Sequence, residues 1–138
     1  MLRCIVVEPS KCQKEKGVDD VKIERGDVVL ADLTEQNNTS IQAGVRPVVV
    51  VSNDKANTYS PIITIIPLTR KLHKKRYLPT HVFITYKDEQ DRNRKSLALA
   101  EQITSIPVDC ILEKYGHVNK FDLRAISMAL GIQTGLIE

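Results

Sequence analysis

The chain has 138 residues, 42% of them hydrophobic and 27% charged, which suits one soluble domain with a core of its own. No apolar run approaches the roughly 18 residues of a membrane span, and Glu8 and Pro9 cut the apolar start Leu2–Val7 below signal-peptide length. A net charge of +3 with only 4% aromatics suggests a weakly basic partner surface with little capacity for base stacking.

Residues 1–22 read as an N-terminal extension: a short β-like run, then Pro9, Ser10 and a polar stretch that carries no motif. A domain is expected from residue 23 to 138. Arg25-Gly26-Asp27 signals a turn before a strand at Val28–Leu33. Thr34–Gly44 is polar and reads as a flexible loop. Pro47–Ser52 holds four consecutive valines, the pattern of a strand buried on both faces. Asn53 to Pro61 predicts a turn or short helix, and Ile62–Leu68 a second apolar strand. A basic loop covers residues 70–80. His81–Tyr86 alternates as a strand, Lys87–Lys95 reads as a charged turn, and Ser96–Ile103 alternates again, with Thr104–Ile106 as its extension. Val108–Lys114 is predicted as a short helix after Pro107. The strongest helix starts at Asn119 as N-cap, with Asp122 at N3, Phe121, Leu123, Ile126 and Leu130 at helical spacing, and Gly131 as the stop. Strands are not separated by helices, so a doubly wound fold is excluded in favour of a small, bent antiparallel barrel with a C-terminal helix.

The charge is uneven. Residues 70–95 carry nine basic and three acidic side chains, +6, twice the net charge of the whole chain. Such a stretch attracts phosphates, or it is a solvated loop that confers solubility. Cys4, Cys12 and Cys110 are odd in number and fit neither a disulfide framework nor a zinc pattern. They read as reduced thiols of a cytoplasmic protein, with Cys110 in the core. No metal site and no cofactor is expected.

Four stretches stand out in order: Arg25-Gly26-Asp27-Val28 with Ala31-Asp32-Leu33; Gln42-Ala43-Gly44-Val45-Arg46-Pro47 into Val48–Val51 and Ser52-Asn53-Asp54; Ser60-Pro61 to Pro67-Leu68-Thr69; and Leu78-Pro79-Thr80-His81-Val82 with Ala100-Glu101-Gln102-Ile103. In this order and spacing they resemble the MazF/PemK family of toxin endoribonucleases. The resemblance implies an SH3-like barrel, a homodimer, and metal-independent, sequence-specific cleavage of single-stranded RNA that leaves a 2′,3′-cyclic phosphate and a 5′-hydroxyl. It also implies neutralisation by a cognate antitoxin whose disordered C-terminal segment occupies the RNA groove. The family's catalytic arginine falls on Arg46 and its catalytic threonine on Thr69.

The residue types suit that chemistry. A guanidinium presents a fork of donors to phosphate oxygens and neutralises charge on a phosphorane. A threonine hydroxyl adds a donor, and the attacking 2′-hydroxyl is already tethered to its target. With a pKa above about 12, arginine is a poor base, so Arg46 is read as phosphate clamp and proton donor, with the base unassigned. Some relatives have an acidic residue where this chain has Ile41. The expected RNA contacts are Gln42, Gly44, Arg70, Lys71, Lys74, Lys75, Arg76 and His81. Bland readings stand beside these: Arg46 as a surface arginine, Thr69 as a strand end, Gly44 as a conformational requirement, and His81, Glu101 and Gln102 as structural hydrogen-bonding groups. Two other functions use the same fold: a gyrase-directed toxin like CcdB, or a non-cleaving RNA-binding module.

Overall fold

A computed structural model describes residues 22–34, 44–71, 78–88 and 90–138. Seven strands and two helices follow in the order β1 (Asp27–Leu33), β2 (Gly44–Val50), α1 (Asp54–Tyr59), β3 (Ile62–Thr69), β4 (His81–Lys87), β5 (Asn93–Leu99), β6 (Thr104–Pro107), β7 (Ile111–His117) and α2 (Lys120–Gln133). Short 3-10 turns at Ala100–Gln102 and Val108–Cys110 flank β6. Every strand pairing is antiparallel, in the order β4-β5-β3-β2-β1-β7, with β6 on the free part of β3.

The run of valines is explained by two apolar clusters on opposite faces of the sheet. Val48 and Val50 join Val29, Ala31, Ile63 and Ile65 on one side, while Val49 joins Val28, Ile66, Leu68 and Ile84 on the other. Alternate side chains of a strand point to opposite faces, so a strand covered twice must be apolar throughout. Helix α2 closes the second cluster with Ile126, supported by Leu123 and Leu130. The sheet curls until its outer strands β4 and β7 meet without a ladder. There a Cβ at Gly116 would stand 3.1 Å from the Lys87 carbonyl oxygen. The expected mainly-β fold with a C-terminal helix is borne out.

Several boundaries differ from expectation. Strand β2 starts at Gly44 because Gly44–Arg46 pair with Ala31–Leu33. Strand β5 starts at Asn93, its charged residues lying on an exposed stretch paired with β4. The expected helix at Val108–Lys114 is replaced by one 3-10 turn and β7, because β1 offers an outer edge that β7 fills from Ile111 to His117. Asn119 caps α2 as expected, accepting from the Asp122 N–H at 2.8 Å, but Phe121 is exposed rather than on the core stripe. Gly131 does not stop α2. Ile137 folds back over it, and the helix ends two residues on, before left-handed Gly135. Cys110 is buried as expected. Cys4 and Cys12 lie outside the described residues.

Candidate functional site

The sequence motifs converge where the β2–β3 ladder stops. These strands pair from Val50–Ile65 to Val48–Pro67. Neither Pro47 nor Pro67 has an N–H to donate, and β3 then turns its last residues to β5, pairing Leu68 with Ala98 and Thr69 with Leu97. Arg46 and Thr69 both lie beyond the last β2–β3 rung, each two residues past its member of the Val48–Pro67 pair. Arg46 is partly buried on β2, opposite Ala31 of β1. Burial lowers the pKa of its guanidinium from the ordinary value, because desolvation disfavours the charged form. Thr69 is buried, and its hydroxyl oxygen accepts from the Lys71 N–H at 3.2 Å. That bond uses an acceptor position and leaves the hydroxyl proton to donate elsewhere.

Gly44 opens β2 with φ of +80°, and a Cβ there would meet nothing within 4 Å. Its glycine is therefore a backbone requirement, not a steric one. Arg70 and Lys71 are exposed at the end of β3. Gln42, Lys74, Lys75 and Arg76, like Ile41, lie outside the described residues.

His81 begins β4. Its side chain is 3% exposed, and Nε2 lies 2.6 Å from Glu101 Oε2, while the Thr80 hydroxyl donates to Glu101 Oε1 at 3.2 Å. Among the described residues, the buried Nδ1 of His81 has no hydrogen-bond partner. His81 pairs with Leu99, two positions along β5 from the residue opposite Thr69, so it shares the sheet face of Thr69. The sequence marks His81 and Glu101 separately, but not that they form a pair.

A second polar cluster occupies the other end of β1 and has no counterpart in the sequence reading. The Asp27 carboxylate is buried and receives the Glu24 N–H at 2.8 Å, Lys114 Nζ at 3.1 Å and His117 Nδ1 at 2.9 Å. Asp27 and His117 are ninety positions apart, so only the β1–β7 pairing brings them together.

Residues 24–134 match the model of the family described as PemK-like, MazF-like toxin of type II toxin–antitoxin system. The chain belongs to this family. It is 35% identical over 112 residues to the endoribonuclease MazF of Staphylococcus saprophyticus, covering 81% of this chain and 91% of that protein. The expected family and enzyme class are thus borne out. Its fold is similar to MazF from Deinococcus radiodurans, with a TM-score of 0.68, 20% identity and coverage of 84% of this chain and 99% of the other. An endoribonuclease in complex with its cognate antitoxin, from a mycobacterial species, aligns with a TM-score of 0.67 at 24% identity, covering 84% and 98%. Among the described residues, no helix of this PemK/MazF-like chain is long and apolar enough to cross a membrane.

Proposed function

We propose that this chain is the toxin of a type II toxin–antitoxin pair, a sequence-specific, metal-independent endoribonuclease acting on single-stranded messenger RNA in the cytoplasm. The observation that carries the reading is that Arg46 and Thr69 each lie two residues past the last β2–β3 rung, Val48–Pro67, at the same end of the ladder. Arg46 spans two phosphate oxygens and neutralises the phosphorane, its charge more effective for being partly desolvated. Thr69 donates its hydroxyl proton to the same phosphate. The ribose 2′-hydroxyl gives up its proton to water as its oxygen bonds to phosphorus and the bond to the 5′-oxygen breaks. That oxygen takes a proton from the Arg46 guanidinium, which water then restores. The products are a 2′,3′-cyclic phosphate and a 5′-hydroxyl end.

Exposed Arg70 and Lys71, with Lys74, Lys75, Arg76, Gln42, Gly44 and His81, serve RNA binding in this reading. The enzyme works as a homodimer, and its groove is closed by the disordered C-terminal segment of a cognate antitoxin. The family match over residues 24–134 supports residues 23–138 as the catalytic domain and residues 1–22 as an extension.

The test is incubation with a long single-stranded RNA in EDTA, followed by analysis of fragment ends. Cyclic phosphate ends that disappear with Arg46→Ala, while the dimer persists, are the expected result. Binding without cleavage makes the protein a non-cleaving RNA-binding module; neither binding nor cleavage points to a protein-directed toxin like CcdB.

A further inference from the structure

Helix α2 is apolar on two sides. On its inner side Ile126 enters the core with Val28, Ile66 and Ile84, and Leu123 and Leu130 pack beside it. At about 100° per residue, Phe121, Ala125, Met128 and Ile132 form a second row on the opposite side of the helix. Phe121 is 84% exposed and Met128 52%; Ala125 is exposed and Ile132 half-buried. A helix that faces water on its outer side carries polar residues there. The valines of β2 set the precedent within the same molecule: an element that is apolar on both sides is covered on both.

The outer row has the spacing of a coiled-coil seam. Steps of four, three and four residues keep such a row facing a neighbour as two helices cross at about 20°. The spacing is also symmetric about its centre. A second α2 running antiparallel therefore meets it with Phe121 against Ile132 and Ala125 against Met128, small beside large at the middle. A two-fold axis generates that arrangement from a single surface. Charge selects the same orientation. Lys120 and Arg124 stand at the start of α2, and its last turn holds no basic residue. Asp122, the acidic residue of the first turn, is committed to the Thr85 N–H at 3.2 Å and Asn119 Nδ2 at 3.1 Å. An antiparallel neighbour brings Lys120 to the negative, carbonyl-bearing end of the other helix. A parallel one sets like charges side by side.

We infer that the outer row of α2 is the surface through which two copies of this chain associate, as an antiparallel α2–α2 pair with Ala125 and Met128 at its centre. The inference rests on the homodimer of the proposed function and supplies the face that forms it; it does not depend on the cleavage chemistry.

The experiment measures self-association of the full chain by sedimentation over a concentration series. Met128→Glu places two carboxylates at the middle of the seam and is expected to raise the dimer Kd by at least about 100-fold. Ile62→Glu puts the same charge on an exposed apolar residue of β3 and is expected to leave the Kd unchanged. Circular dichroism checks that each variant folds. A second measurement leaves the seam apolar: with benzoylphenylalanine in place of Phe121, irradiation is expected to give a product of dimer mass, crosslinked near Ile132 of the other copy. A folded Met128→Glu protein with the wild-type Kd overturns the inference and leaves the row to a partner other than a second copy. An equal loss in Ile62→Glu overturns it too, as does a crosslink that maps outside α2 or joins the two Phe121 positions. A wild-type chain that stays monomeric throughout fails the homodimer reading itself, and the surface falls with it; a dimer that survives Met128→Glu fails the surface alone.

Discussion

The β1–β2 pair carries a left-handed glycine at each end, and the two ends are built for opposite purposes. At one end Gly26, with φ of +92°, donates its N–H to the Val50 carbonyl at 2.7 Å and accepts from the Val118 N–H at 3.0 Å. A Cβ there would lie 2.8 Å from His117 Cε1 and 3.2 Å from Leu123. The neighbouring Asp27 has its carboxylate saturated by three donors. At the other end Gly44 makes the same backbone demand in open space, two residues before Arg46. The positive φ calls for glycine in both places; only the packed end also needs the missing side chain.

The largest expected break is at the open end. Arg46→Ala removes a charge-stabilising donor, and kcat should fall by about 100- to 1000-fold, read from cleavage of a long RNA, with the thermal midpoint nearly unchanged. Gly26→Ala inverts that pattern. It combines left-handed strain with overlap on a ring that Asp27 holds in place, so it should cost about 2–4 kcal/mol of stability in denaturant melts. Because the overlap is with His117, the double variant Gly26→Ala/His117→Ala should cost less than the sum of its parts. Gly44→Ala carries strain without overlap and should cost about 1–2 kcal/mol; a loss as large as that at Gly26 would erase the contrast between the two ends.

The smallest effect lies in the β4–β5 hairpin. Burial would raise the pKa of Asp88, but the backbone N–H groups of Arg92 and Gln90 and the Arg94 side chain outweigh it and hold the carboxyl far below its ordinary value. A carboxylate depressed on folding stabilises the protein above its unfolded pKa, and that stability is lost as pH falls toward the folded one. Asp88→Asn should therefore lower the melting temperature at neutral pH, and the gap to wild type should close in strong acid.

Legibility followed the range of the interactions. Arg46 and Thr69 stand out in the sequence because each sits in a local motif, and the Asn119 cap was readable because capping spans three residues. The Asp27 cluster was hidden because its His117 and Lys114 partners arrive from the far end of the chain through strand pairing. The segment after Pro107 misled for a related reason. Val108, Ile111 and Leu112 have helical spacing, but the vacant edge of β1 decided the outcome, and Leu112 ends 40% exposed. Gly131 reads as a stop in isolation; Ile137 gives it a packing role instead.

Among the described residues, strand β3 is the one element that pairs with three others: β2, β5 and β6. Its amides should be among the last to exchange with solvent, opening only with the whole fold. Thr69 is anchored on that slowest strand, whereas Arg46 sits beyond the last β2–β3 rung, where exchange should be faster. In the proposed mechanism Thr69 is then fixed in advance, and Arg46 adjusts as the phosphate arrives.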